Sequence, residues 1–293
     1  MRLSRNKSLF LLHFIIIIWG FTGILGKLIN LTSEVIVWNR MIIAYFALLL
    51  INQFTYRKVK INPKDFLKYI FIGGITAIHW ICFFESIKIS TVSLALICLS
   101  SISLFTAILE PLIQKRKILF YEIILSLLIV IGIIIIFNYE QGYEKAVFLA
   151  IISAFCGALF TVLNHKLIQT GHKALIITCW EMFGGVLMVS LYLLITNQIN
   201  SNMIAQKDDI IYILILGLIC TAFAFSISIE IMKKLSPFTV NISVNLEPIY
   251  AIILALIIFG DEEKMSREFY VGSLIILISI GLNTVLKQKK INK

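Results

Sequence analysis

Charged side chains are scarce in this chain, and their scarcity excludes a water-soluble domain. Asp, Glu, Lys and Arg together make up 14% of the 293 residues, whereas hydrophobic residues make up 59%. A soluble protein of this length could not bury so much apolar surface. The composition therefore indicates an integral membrane protein.

The features of enzymes, metal sites and nucleic-acid binders are missing as well. All five cysteines lie inside apolar stretches, which leaves neither a disulfide framework nor a zinc-binding spacing, and no cofactor is expected. A glycine-rich phosphate loop is absent, which argues against a pump driven by ATP. The net charge of +10 is accompanied by no RNA- or DNA-binding motif, so no nucleic-acid partner is expected.

Long apolar stretches fill the chain instead. Each has about the 20 residues that an α-helix needs to cross a bilayer. The expected spans are 9–28, 35–55, 66–86, 91–113, 119–138, 145–165, 173–196, 210–232, 237–259 and 268–287. The first lacks the small-residue cleavage site of a signal peptide, so we interpret it as a retained helix. The sequence predicts an all-α integral membrane protein with ten transmembrane helices.

The distribution of charge predicts the orientation of these helices. Lys and Arg are concentrated at both termini and in the connections after the second, fourth, sixth and eighth spans, whereas acidic loop residues concentrate on the other side. Short loops rich in Lys and Arg stay in the cytoplasm. We therefore expect a multi-pass protein of the bacterial cytoplasmic (inner) membrane with both termini cytoplasmic, and the lipid bilayer as its surroundings.

The second half of the chain repeats the first. Phe120–Tyr121 of the fifth span recurs as Phe269–Tyr270 of the tenth, and other matches follow in the same order. These matches predict two repeats, 1–140 and 141–293, with five spans each. Because five is odd, the halves must have inverted topologies. Inverted repeats are typical of secondary transporters, whose site lies near the midplane between the repeats.

Four stretches resemble the EamA-type transporters of the drug/metabolite transporter superfamily. They are IIWGFTGILGKL (17–28), SIKISTVSLAL (86–96), LSPFTVNISVNLEPIYAIILALIIFGDE (235–262) and GSLIILISIGL (272–282). The resemblance implies ten helices around a central cavity that opens alternately to the two sides, and export of amino acids, other metabolites or toxic compounds. One departure is Gly260–Asp261, where the family pattern has Gly-Glu.

Polar residues inside the spans are the candidates for substrate binding or coupling. A charge at the centre of a transmembrane helix costs roughly 2.5–3.5 kcal/mol, so such residues have a functional interpretation by default. The candidates are Glu247, Asn245, Asn241, Arg40, Glu181, His79, Trp19 and Trp80.

Span nine combines several of these features. Glu247 lies near its middle, and Asn241, Asn245 and Pro248 share one helical face. Pro248 also removes a backbone hydrogen bond one turn earlier. This combination suggests a substrate or proton site, although Glu247 could instead bind a neighbouring helix.

Arg40 and Glu181 occupy corresponding positions of the second and seventh spans and carry opposite charges. An arginine and a carboxylate facing one cavity would suit a zwitterion such as an amino acid. Two other interpretations stay open. Arg40 could extend to the outer interface, or the two side chains could pair as a gate.

His79 could relay protons or merely bond a neighbouring helix. Trp19 and Trp80 could line the cavity or belong to an interfacial belt, to which we assign Trp38. Glu110 is interpreted as an anchor at the inner surface.

The leading hypothesis is a secondary transporter of a small organic metabolite, an exporter of amino acids or related solutes that works by alternating access. Coupling to protons through Glu247 or Glu181, uniport and exchange all stay open. No enzymatic activity is expected. The alternatives are a membrane-embedded lipid-modifying enzyme, which would need a nucleophile–base pair or metal ligands, and a passive channel.

Overall fold

The computed structural model describes residues 4–56, 61–117, 119–139, 141–199, 203, 205 and 207–291. All regular structure within these ranges is helical, without any strand. Arg2, the basic stretch 57–60 and the repeat boundary at 140, which support the predicted orientation and division, lie outside the described residues.

The helices follow one another with short connections. They are α1 (Arg5–Leu28), α2 (Ser33–Tyr56), α3 (Pro63–Lys88), α4 (Val92–Leu99), α5 (Ile102–Gln114), α6 (Phe120–Tyr139), α7 (Glu144–Gln169), α8 (Ala174–Ile195), α9 (Lys207–Leu214), α10 (Ala224–Ile231), α11 (Pro237–Val244), α12 (Glu247–Phe259) and α13 (Arg267–Ile291). A π-helical segment, Ile215–Phe223, joins α9 to α10, and a 3₁₀ turn, Gly260–Glu263, follows α12.

Eight helical stretches within the described residues are long and apolar enough to cross a bilayer, and Phe120–Ile136 is a shorter apolar helix. Large apolar side chains are also widely exposed; Phe10, Phe54 and Phe120 are 73%, 81% and 77% exposed. A soluble monomer rarely exposes so much apolar surface, whereas lipid covers it at no cost. The all-helical, membrane-spanning class predicted from the sequence is confirmed.

Two spans are interrupted in the middle. α11 ends at Val244 and α12 begins at Glu247, next to the Pro248 that the sequence marks as a break. α4 and α5 are separated at Ser100–Ser101, where no proline occurs. There the Ser101 Oγ donates to the carbonyl of Cys98 at 2.9 Å. Such local bonds compete with the backbone hydrogen bonds of the helix and explain an interruption that was not predicted from the sequence.

Glycines bring several helices into close contact. A Cβ atom on Gly73 of α3 would overlap the backbone carbonyl oxygen of Glu181 in α8, and one on Gly184 would lie 2.6 Å from the backbone of Ile70. Gly132 of α6 and Gly272 of α13 each face the other's carbonyl oxygen. Small residues at these crossings let the backbones meet, which is the usual basis of helix association in lipid.

Candidate functional site

A central cavity of about 80 Å³ lies between the helices. Space of this size admits several water molecules. Side chains from α1, α2, α3, α4, α5, α7, α10, α11 and α12 form its wall. The predicted site residues in that wall are Trp19, Arg40, His79, Trp80, Asn241 and Glu247.

Arg40 is buried and held by two different groups. Its Nε and one terminal nitrogen donate to the Thr221 Oγ1 at 3.0 and 2.8 Å. Its guanidinium lies over the Trp80 ring, 3.9 Å from the centroid, where the face of the indole attracts a cation. The other terminal nitrogen, Nη1, has no hydrogen-bond partner. The arginine is thus fixed in position, with Nη1 as the guanidinium nitrogen that has no acceptor.

The π-helical segment explains how Thr221 reaches Arg40. Thr221 Oγ1 donates to the Leu216 carbonyl at 2.7 Å, five residues back, as the wider turn allows. In the same segment, the Cys220 carbonyl accepts from Trp19 Nε1 at 3.1 Å. π-helical insertions are frequent at functional sites because they redirect backbone groups in this way.

Glu247 is the first residue of α12 and is 6% exposed. Its carboxylate faces the cavity without a hydrogen bond to any described residue. The partial positive charge of the α12 N-terminus favours a carboxylate at this position. Arg40 and Glu247 therefore place opposite charges on one cavity.

Asn241 and Asn245 lie on one face of the interrupted span, as expected, and both contact α5. Asn241 Nδ2 donates to Thr106 Oγ1 at 2.7 Å, and Asn245 Nδ2 donates to Ser103 Oγ at 3.1 Å. Asn241 lines the cavity, whereas Asn245 lies behind the wall. The two amides tie the interrupted spans to each other beside the cavity.

Aromatic side chains form the rest of the wall. Phe225 contacts both Trp80 and Phe160, with ring centroids 5.8 and 5.6 Å apart. His79 Nδ1 lies 2.7 Å from the carbonyl oxygen and 2.9 Å from the hydroxyl oxygen of Ser153. His79 therefore bonds a neighbouring helix, the structural role that the sequence left open, while its ring also borders the cavity.

Glu181 does not reach the cavity wall. It is fully buried, and its Oε2 accepts from Asn164 Nδ2 at 3.2 Å. Asn164 lines the cavity and separates Glu181 from it. The carboxylate that shares the cavity with Arg40 is therefore Glu247 rather than Glu181.

Two sequence interpretations of Arg40 need correction. Arg40 is 1% exposed and bonded to Thr221, so it does not extend to the outer interface. Arg40 and Glu181 form no ion pair among the described residues, so they are not paired as a gate in this structure. Trp38 donates from Nε1 to Ser190 Oγ at 2.8 Å and so ties α2 to α8, while its place in the interfacial belt stays a prediction.

Glu110 was also misinterpreted, because it is buried rather than an interfacial anchor. Its Oε2 accepts from the backbone N–H of Phe238 at 2.9 Å, and its Oε1 accepts from Arg116 Nε at 3.1 Å. Burial lowers the pKa of Arg116, but bonds to Glu122 and Glu110 outweigh it and raise that pKa above its usual value. We call Glu110, Phe238 and Arg116 the inner clamp.

A matching arrangement occurs at the other end of the same two spans. Glu263 Oε1 accepts from the N–H of Val92 at 3.0 Å, and its Oε2 accepts from the N–H of Ser93 at 3.0 Å. Lys27 Nζ lies 3.0 Å from Glu263 Oε1. We call Glu263, Val92, Ser93 and Lys27 the outer clamp. In each clamp, a carboxylate from one interrupted span holds the N-terminus of the other.

Several of these residues carry little sequence signal. Thr221, Asn164 and Ser103 are ordinary polar residues of transmembrane helices, and their importance depends on partners far away in the chain. Only the cluster Ser100, Ser101 and Ser103 is unusual enough to have marked the interruption of span four. Among the described residues, no group of three or more His, Cys, Asp and Glu could hold a metal ion.

These features define a helical multi-pass membrane protein with a central, mainly apolar cavity that a few polar side chains border. The model of the EamA-like transporter family matches residues 6–138 and again residues 144–285. The chain therefore belongs to the EamA-like transporter family, and its two matches show the two-repeat organisation of that family. The family resemblance inferred from the sequence is confirmed.

Individual relatives agree with this assignment. A Clostridium kluyveri protein named as an uncharacterized transporter is 24% identical over 239 residues, which cover 78% of this chain and 75% of the relative. A solved crystal structure of a protein superposes with a TM-score of 0.70 over 98% of this chain and 99% of that one, at 13% identity. The latter likeness concerns the fold alone. Family and relative point to a membrane transporter rather than an enzyme.

Proposed function

We propose that this protein is a secondary transporter that exports a small zwitterion, an amino acid or a close analogue, by alternating access. The observation that carries the proposal is the placement of Arg40 and Glu247 on one cavity. Both residues border the cavity; the Arg40 Nη1 has no acceptor, and Glu247 has no hydrogen-bond donor among the described residues. The carboxylate and the ammonium group of a bound zwitterion would satisfy both.

The surroundings favour this substrate class. The N-terminus of α5 meets the cavity at Ile102 and adds partial positive charge to its wall. Interrupted helices that point their N-termini at an anionic group are a recurrent device of secondary transporters. Trp80, Phe160 and Phe225 offer an apolar wall for the rest of the solute.

The proposed architecture is ten transmembrane helices in two inverted five-helix halves, 1–140 and 141–293. α6 and α13 supply the fifth and tenth spans, next to the eight established by length and hydropathy. The interruption of one span in each half supports the pseudo-symmetry. We place the protein in the bacterial cytoplasmic membrane with both termini inside, and the halves rock against each other around the cavity.

A thermal-shift screen of the purified protein tests the substrate class. We expect amino acids to raise the melting temperature, because a ligand that binds only the folded state stabilises it by mass action. Carboxylic acids without the amine, and amines without the carboxyl, should stabilise it less. Arg40→Gln should remove the preference for the carboxyl group, and Glu247→Gln the preference for the amine.

The matched control is Glu230→Gln, which changes a carboxylate that pairs with Lys233 at a helix end, outside the cavity. This variant should keep the wild-type ligand preference. Stabilisation by uncharged solutes or organic cations, with no response to amino acids, would refute the zwitterion proposal.

A further inference from the structure

Glu181 and Asn164 form an isolated polar pair inside the protein. Both residues are fully buried, and their single hydrogen bond joins Asn164 Nδ2 to Glu181 Oε2. Glu181 Oε1 and Asn164 Oδ1, the other oxygen of each group, have no partner. Two acceptors in one buried pair therefore lack a donor, which is costly in a low-dielectric interior.

Within the part of the chain that the structure describes, Glu181 has no ion-pair partner. Tyr69 of α3 is within electrostatic range of Glu181, and it is a neutral group whose hydroxyl bonds His172. The other helices packed on α8 also carry charged or titratable side chains, but each has a different partner. Arg40 of α2 is bonded to Thr221. His165 of α7 lies against Gln114 and Gln169, and Glu230 of α10 is paired with Lys233. An ionised Glu181 would be an unpaired buried charge.

We propose that Glu181 and Asn164 form the binding site of the coupling proton, separate from the substrate site at Arg40 and Glu247. A proton on Glu181 Oε1 removes the charge and supplies the O–H donor that the Asn164 Oδ1 lacks. A metal ion fits poorly, because hard cations such as Ca²⁺ take six to eight oxygen ligands and this pair offers two free ones.

Asn164 connects this site to the cavity. Its side chain lies in the cavity wall and holds Glu181 directly behind it. Movement of the Asn164 amide would expose Glu181 to cavity water, to which the Oε1–H bond can lose its proton, leaving a carboxylate. This step rests on the proposed transport function, since a solute entering the cavity is what would move Asn164.

Infrared spectroscopy of the protein in lipid nanodiscs tests the proton site without any solute. We expect the carbonyl stretching band of a protonated carboxyl group at neutral pH, absent in Glu181→Gln and still present in Glu230→Gln. Asn164→Leu should shift this band, because it removes the hydrogen bond to Glu181; this variant keeps the test decisive if Glu181→Gln fails to fold. The proposal is wrong if no protonated band depends on Glu181, or if added Na⁺ abolishes it.

A transport assay provides the second measurement. In proteoliposomes, an imposed pH gradient should drive accumulation of an amino-acid mixture by the wild type but not by Glu181→Gln, whereas exchange of one amino acid for another should continue. Gradient-driven accumulation that survives in Glu181→Gln would contradict the coupling role. Failure of the amino-acid probe alone would question the substrate class and leave the infrared result standing.

The two clamps carry a second, independent inference. They join the interrupted spans at opposite ends. The carboxylate of each clamp is buried, since Glu110 is 3% exposed and Glu263 is 0% exposed. Each carboxylate accepts N–H groups at the start of a helix, where its charge is favoured by the helix dipole. Each also binds a cation, Arg116 in the inner clamp and Lys27 in the outer clamp.

We infer that the clamps are the two gates of alternating access. Both link the first half of the chain to the second, so rocking of the halves must separate one clamp before the cavity opens on that side. In the proposed orientation, the inner clamp faces the cytoplasm and the outer clamp faces the exterior. Breaking either clamp should shift the conformational equilibrium toward opening at its own side.

Labelling of a cavity cysteine tests the gates and needs no substrate. Ser228 lines the cavity, so we would introduce Ser228→Cys into a chain whose five cysteines are replaced by alanine. Glu263→Gln should raise labelling by an impermeant thiol reagent from outside by about tenfold and lower it from inside, the change expected for loss of a charged hydrogen bond. Glu110→Gln should produce the reverse.

Lys27→Gln and Arg116→Gln are milder variants. Lys27→Gln should shift labelling in the same direction as Glu263→Gln, and Arg116→Gln in the same direction as Glu110→Gln. They keep the test valid if a carboxylate variant does not fold. Equal changes from both sides, or no change in any of the four variants, would overturn the gate assignment. That result would leave the proposed substrate site untouched, because the assay contains no solute.

Discussion

Arg40 illustrates at the residue scale how a charge is accommodated within a membrane protein. An arginine inside a span is costly in lipid. Here the cost is offset by two hydrogen bonds to Thr221 and by the face of Trp80. The sequence marked Arg40 as a candidate because of its charge. It could not identify Thr221, because that contact depends on a π-helical turn far away in the chain.

The contact between Arg40 and Thr221 yields a prediction at this scale. Thr221→Val keeps the shape of the side chain but leaves two more guanidinium donors buried without a partner. We expect a loss of roughly 1–3 kcal/mol of stability and weaker binding of amino acids. Thermal denaturation and ligand titration of the purified variant measure both effects.

The control is Thr178→Val, because Thr178 Oγ1 donates only within its own helix, to the Ala174 carbonyl at 3.0 Å. This variant should behave like the wild type. Equal stability and binding in both variants would mean that Thr221 does not fix the arginine.

At the scale of the elements, the sequence predicted the spans better than their interruptions. Apolar length alone predicted ten spans, and eight helices of the described residues are long and apolar enough to cross a bilayer. Pro248 marked the break in span nine. The break at Ser100–Ser101 depends on a serine hydroxyl that donates to a nearby backbone carbonyl. Serines in other helices need not form such bonds, so their presence alone does not predict a break. The π-helical segment likewise has no proline or charge to mark it. Hydropathy therefore predicts where helices lie, but not where their backbone hydrogen-bond pattern is interrupted.

Helix crossings give the element-scale prediction. Gly73→Ala would place a methyl group against the Glu181 backbone, whereas Gly74→Ala faces only the flexible side chain of Met188. Overpacking of this kind typically costs about 1–3 kcal/mol. We expect Gly73→Ala to lower the melting temperature markedly and Gly74→Ala to change it little. A reversed order would show that the α3–α8 crossing is not as close as described.

At the scale of the whole molecule, charge distribution and repeat matches define the proposed topology. The two halves of the chain have the same family pattern, and each contains one interrupted span. The positions at which the halves touch, including both clamps and the Asn241–Thr106 contact, could not be read from the sequence. They join residues that are more than one hundred positions apart, and a single sequence carries no record of such pairs.

Reporter fusions test this topology. A fluorescent protein that folds only in the cytoplasm should be active at both the N-terminus and the C-terminus, because both ends are proposed to lie inside. An alkaline phosphatase fused within the connection between α8 and α9 should be active outside. A cytoplasmic amino terminus combined with an external carboxyl terminus would contradict the two inverted halves.

Exchange of a labelled amino acid across the membrane of proteoliposomes shows whether Arg40 and Glu247 together bind one zwitterion in a carrier. An unlabelled amino acid inside the vesicles should stimulate uptake of the labelled one by the wild type and by Glu230→Gln. Arg40→Gln and Glu247→Gln should each abolish the stimulation. Undiminished exchange in both variants would show that Arg40 and Glu247 do not bind the solute. Wild-type uptake that neither saturates nor responds to internal amino acid would show that the protein is not a carrier.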